Sequence, residues 1–144
     1  MRSAVVCLIN EERAAHGLPA LRADDRLDSS AQSWSNKMVA THQFTHGINF
    51  AGRISATGFH WSSAGENIAT GYVTPRQVVN GWMASTGHCQ NILSPTYRDV
   101  GTGVNRHAIG GFATGPATWT QDFALPMGKS APSRNSSPAD RCPY

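Results

Sequence analysis

The chain carries six histidines against two lysines, an imbalance that directs attention to metal or acid–base chemistry. His42 and His46 lie four residues apart, the spacing that puts two imidazoles on one helix face in zinc sites. The glutamate that accompanies such pairs in His-Glu-x-x-His is missing. Thr41-His42-Gln43 reads instead as the end of a helix, with His42 near its negative C-terminus. Ser85 and His88 are spaced as a nucleophile and base could be. No Gly-x-Ser-x-Gly elbow surrounds Ser85 and no oxyanion hole can be placed, so it reads as the end of a helix. The three cysteines, Cys7, Cys89 and Cys142, allow one bridge and one leftover thiol. Three free, buried thiols fit the composition as well. No Cys-x-x-Cys occurs, so neither a zinc ribbon nor a thioredoxin motif is present.

These residues must be positioned by a fold of modest size. The 144 residues, 40% hydrophobic and 15% charged, suit one globular domain with a core of its own. The net charge of +3 is small and partly terminal, at Arg2, Lys129, Arg134 and Arg141. No basic block of five or six residues exists, which argues against nucleic acid as a partner. No apolar run approaches the roughly 18 residues of a transmembrane helix. Met1-Arg2-Ser3-Ala4 leads directly into an amphipathic pattern, so a signal peptide is expected to be absent or already removed.

Along the chain, helical periodicity predicts a first helix over about 3–16, with Val5, Leu8 and Ile9 inward and Glu12-Arg13 on its charged far side. Gly17 in the left-handed region and Leu18-Pro19 stop it. A second helix opens at Asp24, Asp25 and Asp28 and buries Leu27, Ala31, Trp34 and Met38. A short helix is expected over 50–57, then a short strand within 64–72. Thr74-Pro75 is an N-cap and N1 pair that starts a helix burying Val78, Val79, Trp82 and Met83. Alternation at 100–104 and 117–123 predicts two strands of an antiparallel hairpin with a long Gly-rich loop. Residues 1–127 are the expected domain and 128–144 a Pro/Ser-rich tail. Trp34, Trp82 and Trp119 read as core, and Trp61 as a residue of a cleft rim. Helices first and a hairpin later imply an α+β fold.

Five motifs in order resemble one family. Cys7–Leu21 is similar to the first helix of bacterial CAP domains, relatives of cysteine-rich secretory proteins, antigen 5 and group 1 pathogenesis-related proteins. Phe44-Thr45-His46 resembles their Phe-Ser-His, and Gly65-Glu66-Asn67-Ile68 their Gly-Glu-Asn-Ile. Trp82-Met83-Ala84-Ser85-Thr86-Gly87-His88-Cys89-Gln90-Asn91-Ile92-Leu93 looks like their Trp-Met-x-Ser-Pro-Gly-His-Arg-x-Asn-Ile-Leu. Val100–Val104 and Trp119–Phe123 complete the set.

The resemblance implies a three-layer α-β-α sandwich with a small antiparallel sheet between helices. It also implies a secreted protein, and a cleft where His46 and His88 bind Zn²⁺ and Glu66 orients a ligand or acts as a base. A lipid or cell-envelope molecule is a further expected ligand of a monomer. The alternative is a metal-assisted hydrolase of peptide or ester bonds using Glu66 with His46 and His88, Ser85 standing next in line as nucleophile. The sequence departs from the family where eukaryotic members often carry a second glutamate: Ser85 stands there, so the acidic cluster is incomplete. Gln121 and Asp122 add polarity nearby without being expected ligands. Cys89, at the place of the family's arginine, is expected to bridge to Cys7 and to leave Cys142 free or intermolecularly paired, the alternatives being Cys7–Cys142 or Cys89–Cys142, which would tie down the tail.

Overall fold

A computed structural model describes residues 1–112 and 115–132. Helix α1 spans Arg2–Ala15 and is followed by a two-residue strand, β1, Arg22–Ala23. Helix α2 is Asp25–Thr41, α3 is Phe50–Ala56, and β2 is Trp61–Thr70. Helices α4, Pro75–Met83, and α5, Thr86–Ile92, precede strands β3, Asp99–Asn105, and β4, Thr118–Pro126.

Local chemistry explains the boundaries. Asp24 caps α2 by accepting from the Arg26 N–H, and Thr74 and Gln77 form a reciprocal capping box with Pro75 at the start of α4. His42 ends α2 in the left-handed region, with φ 54°. It is therefore a cap residue and not half of a helical metal pair. Gly17, at φ +70°, closes α1 as expected.

The four strands run in the order β1-β3-β4-β2. β2, β4 and β3 are antiparallel, with Glu66 opposite Asp122 and Gly101 on its other side. The sheet is mixed, because β1 joins β3 in parallel. A parallel edge of two residues leaves no alternation to read in a sequence.

Helices cover both faces of the sheet. Val5, Leu8 and Ile9 of α1, Val78, Val79 and Trp82 of α4 and Ile92 of α5 pack on Val100, Trp119 and Phe123. On the other face, α2 and α3 bring Leu27, Ile54, Trp34 and Met38 against Ala124 and Ile68. The architecture is the expected α-β-α sandwich. Strand β4 is central and covered on both faces, so it is buried from Thr118 to Leu125.

Small residues set the spacing between layers. A Cβ at Gly101 would lie 2.1 Å from the Leu27 carbonyl carbon, and one at Gly103 2.3 Å from that of Ala31. The backbone of α2 therefore rests directly on β3. Its hydroxyls reach the sheet: Ser30 Oγ donates to Asp122 Oδ2 at 2.7 Å and Ser35 Oγ to Thr120 Oγ1 at 2.8 Å.

Three expectations need correction. Arg13 is fully buried and does not lie on the exposed side of α1. Its guanidinium donates to the carbonyls of Pro19, Ile92 and Ser94 at 2.7–2.9 Å, capping the end of α5, and burial lowers its pKa to about 10. Trp61 does not rim a cleft; its indole N–H reaches Ala51 O and Ser55 Oγ of α3. Cys89 is a free thiol, so the expected Cys7–Cys89 bridge is not formed. The reason is axial offset. The end of α5 meets α1 at Arg13, whereas Cys7 lies six residues, about 9 Å, farther up that helix. Cys7 is not a free thiol, and Cys142, with most of the expected tail, lies outside the described residues.

Candidate functional site

The site forms along β2, whose outer edge has no neighbouring strand among the described residues. Consecutive residues of this strand face opposite sides. Glu66 points toward the layer of α2 and α3, and Asn67 toward α5. Asn67 Nδ2 donates to His88 O at 3.2 Å, and Asn91 Nδ2 donates to Glu66 O and to Asn67 Oδ1. These amides fasten α5, and with it His88, to the strand edge. The seven-residue α5 was not anticipated, because Thr-Gly-His-Cys is a poor helical opening. Ser85 is its N-cap residue and starts this helix; α4 already ends at Met83.

His46 comes from the loop between α2 and α3. Trp34 holds that loop by donating from its indole N–H to Thr45 O at 2.9 Å. Gly47, at φ +73°, lies against the Trp34 ring where a Cβ would come within 2.8 Å. His46 Nδ1 is 2.8 Å from Glu66 Oε1, and the other Glu66 oxygen accepts from Arg53 Nη2. Arg53 Nη1 donates to His46 O at 2.8 Å, and its guanidinium stacks 3.8 Å from the centre of the Trp34 ring. Glu66 is only 1% exposed in its side chain, against 48% for His46. The buried carboxylate therefore anchors an imidazole that is itself half exposed.

His88 is the second imidazole. Its pKa is lowered by burial and, secondarily, by His46, so it is neutral near pH 7. Beside His88 runs a groove of about 280 Å³ lined by Phe44, Ile68, Tyr72, Trp82, Ser85 and Phe112, among others. Its walls are mostly apolar and aromatic.

The structure thus brings His46 and Glu66 into direct contact and sets His88 across the same edge. Ser85 lines the groove as well. Among the described residues, no three His, Cys, Asp or Glu side chains converge as a metal ligand set.

A sequence model of the cysteine-rich secretory protein family matches residues 6–123. The chain belongs to the CAP family. Among curated relatives, this CAP domain is 37% identical over 123 residues to the uncharacterized protein YkwD of Bacillus subtilis (strain 168), covering 83% of the chain and 45% of YkwD. It is 33% identical over 106 residues to the uncharacterized membrane protein YlbC of the same organism, covering 71% of the chain and 31% of YlbC. The chain thus spans less than half the length of these relatives.

Solved structures agree on the fold. An extracellular protein containing a SCP domain from Bacillus anthracis superposes with a TM-score of 0.74 at 25% identity, over 85% of this chain and 39% of that one. An outer surface protein from Borrelia burgdorferi gives 0.76 at 20% identity, over 86% of this chain and 91% of that one.

Sequence reasoning missed Arg53, and it read Asp122 only as nearby polarity, whereas Asp122 is fully buried and accepts from Ser30 Oγ. Arg53 has no local signal, since it acts only once α3 docks on Trp34. Asp122 could have been found: a lone carboxyl inside Thr118–Leu125, the most apolar late segment, must have a partner when the strand is central.

Proposed function

We propose that this CAP domain is an extracellular binding module whose cleft holds a divalent cation, Zn²⁺, between His46 and His88. The adjoining groove receives an apolar part of a lipid or cell-envelope ligand. The observation that carries this reading is the Glu66–His46 contact. A carboxylate on Nδ1 fixes the tautomer and leaves Nε2 with its lone pair, the arrangement that supports metal-bound histidines. The neutral state of His88 supports it further, because only an unprotonated imidazole can coordinate.

The donor set fits a two-imidazole site with positions left for water or ligand. Glu66 acts here as the residue that positions His46, one oxygen meeting the imidazole Nδ1 and the other accepting from Arg53. The second acid that a two-carboxylate hydrolysis would use is absent, Ser85 standing at its place, and Ser85 makes no side-chain hydrogen bond as helix cap. A binding role is therefore preferred over the hydrolase. When bound, Zn²⁺ would supply a Lewis-acidic anchor for an anionic or carbonyl group of the ligand.

An extracellular location is supported by the family and by similar proteins described as extracellular or outer-surface. No helix among the described residues is long and apolar enough to cross a membrane.

Calorimetric titration of metal-free protein with Zn²⁺ tests the proposal. Saturable binding is expected, lost in the His46→Ala/His88→Ala variant and weakened about 10–100-fold by Glu66→Gln. Unchanged affinity in the double variant would refute it.

A further inference from the structure

Helix α4 contains a glycine, Gly81, well inside its boundaries. A glycine there weakens the helix relative to alanine. Its φ is not in the left-handed region, so no turn requires it. What requires it is Tyr72. A Cβ at position 81 would stand 2.7 Å from both Cζ and the hydroxyl oxygen of Tyr72, and 2.9 Å from its Cε1. The phenol ring therefore lies in the notch left by the missing side chain. The main chain beneath the ring is held at two points. Tyr72 O accepts from Trp119 Nε1 at 2.8 Å, and the Gly71 N–H donates to Ala117 O at 2.8 Å. A side chain at position 81 would thus displace the ring and not the backbone that carries it.

The notch matters because Tyr72 and Gly81 both line the groove beside His88. That groove lies where the two helical layers meet at the end of β2. Trp82 belongs to the core on the α1 and α4 side, whereas Phe44 packs on the core of the α2 side. Phe112 stands against Phe44, with ring centres 6.0 Å apart and planes tilted by 56°. One wall is therefore Tyr72 with Trp82, and the other is the Phe44–Phe112 pair, over a floor that includes Ile68. Tyr72 and Phe112 keep 37% and 56% of their surface exposed, so aromatic faces stand uncovered at the groove. A planar ring gains offset-stacked or edge-to-face contacts with such walls, where an acyl chain gains only buried area and loses more conformational freedom.

We propose that Gly81 and Tyr72 are specificity-determining residues that set the width of this groove for a planar aromatic ring of the ligand. With the Tyr72 ring recessed on α4, the slot between the two aromatic walls is open. With a side chain at position 81 the ring is pushed off the helix and narrows it. The inference rests on the reading that this groove receives the apolar part of the ligand; it does not depend on the cation, so its test uses metal-free protein.

The experiment titrates wild type, Gly81→Ala, Tyr72→Ala and the double variant with 2-naphthoate by ligand-observed NMR, with decanoate as the acyl comparison. Wild type is expected to bind naphthoate more tightly than decanoate. Gly81→Ala is expected to weaken naphthoate binding by at least about tenfold. Its melting temperature should stay the same or rise, because alanine is the better helix former and the atoms it meets end a flexible side chain. In the Tyr72→Ala background, where no ring is left to displace, Gly81→Ala is expected to change affinity by less than about twofold. Tighter binding of decanoate by wild type overturns the proposal without any variant. Naphthoate binding that ignores residue 81, or an equal loss with and without the Tyr72 ring, overturns the width role alone. Failure of both probes to bind wild type removes the groove reading itself, and this inference with it.

Discussion

Replacing Arg53 by methionine keeps the packed stem against Trp34 and removes the guanidinium. The change leaves the Glu66 carboxylate, 1% exposed, without its cation, and His46 O without its donor. Breaking a buried ion pair from one side costs about 3–5 kcal/mol. Arg53 itself is 20% exposed, so solvent screens part of the pair and the lower end of that range applies. The lost hydrogen bond to His46 O adds about 1 kcal/mol. Part of the cation–π contact, about 0.5–1 kcal/mol, goes as well. The sum is about 4.5–5 kcal/mol, or a melting temperature lower by about 15 °C for a domain of this size. Urea denaturation of four proteins measures it: wild type, Arg53→Met, Glu66→Leu and the double variant. The two singles are expected to be strongly non-additive, with the double variant at least about 2 kcal/mol more stable than their summed losses allow. A loss below about 1 kcal/mol for Arg53→Met, or additivity across the cycle, would refute the reasoning that Glu66 is closed to solvent and the pair obligatory.

The lowered His88 pKa makes stability depend on pH with a definite sign. The folded state binds fewer protons than the unfolded one, so His88 contributes stability above the unfolded value of about 6.5 that fades as pH falls through the folded value. His88→Gln should flatten that slope in melts collected from pH 7.5 to 5. Gly101→Ala should cost more than about 3 kcal/mol or prevent folding, because its methyl meets backbone and not a movable side chain; circular dichroism melts check this. Non-reducing peptide mapping is expected to find Cys89 alkylated as a free thiol and Cys7 protected from alkylation; a Cys7–Cys89 peptide would contradict the structure.

Legibility in the sequence followed the range of the interaction. Local signals were clear: the apolar face of α2, the Thr74-Pro75 start of α4 and the glycine stop of α1 all depend on neighbours within a few residues. The motifs around His46, Glu66 and His88 gave the cleft, because their order along the chain matches one family. What depends on docking was hidden. Arg13 looks like a surface residue until α5 presents its carbonyls. Arg53 looks like any exposed cation until Trp34 turns beneath it. The Cys7–Cys89 pairing failed for a similar reason: spacing along a chain does not reveal how two helices are staggered. Strand β1 is too short to carry any pattern.

The glycine seam between α2 and β3 has a bearing on how such a domain can change over time. On the opposite face, Val100, Trp119 and Phe123 meet flexible side chains, so an altered residue can be accommodated by its neighbours. Against α2 the contact is backbone on backbone, at Gly101 and Gly103, and polar bonds from Ser30 and Ser35 fix the helix at one rotation. No single substitution there can be absorbed by another. Variation should therefore collect on the α1 and α4 side of the sheet, while the helix that carries Trp34 and leads into the His46 loop stays fixed in place. The half of the fold that supports the imidazole is the half least able to drift.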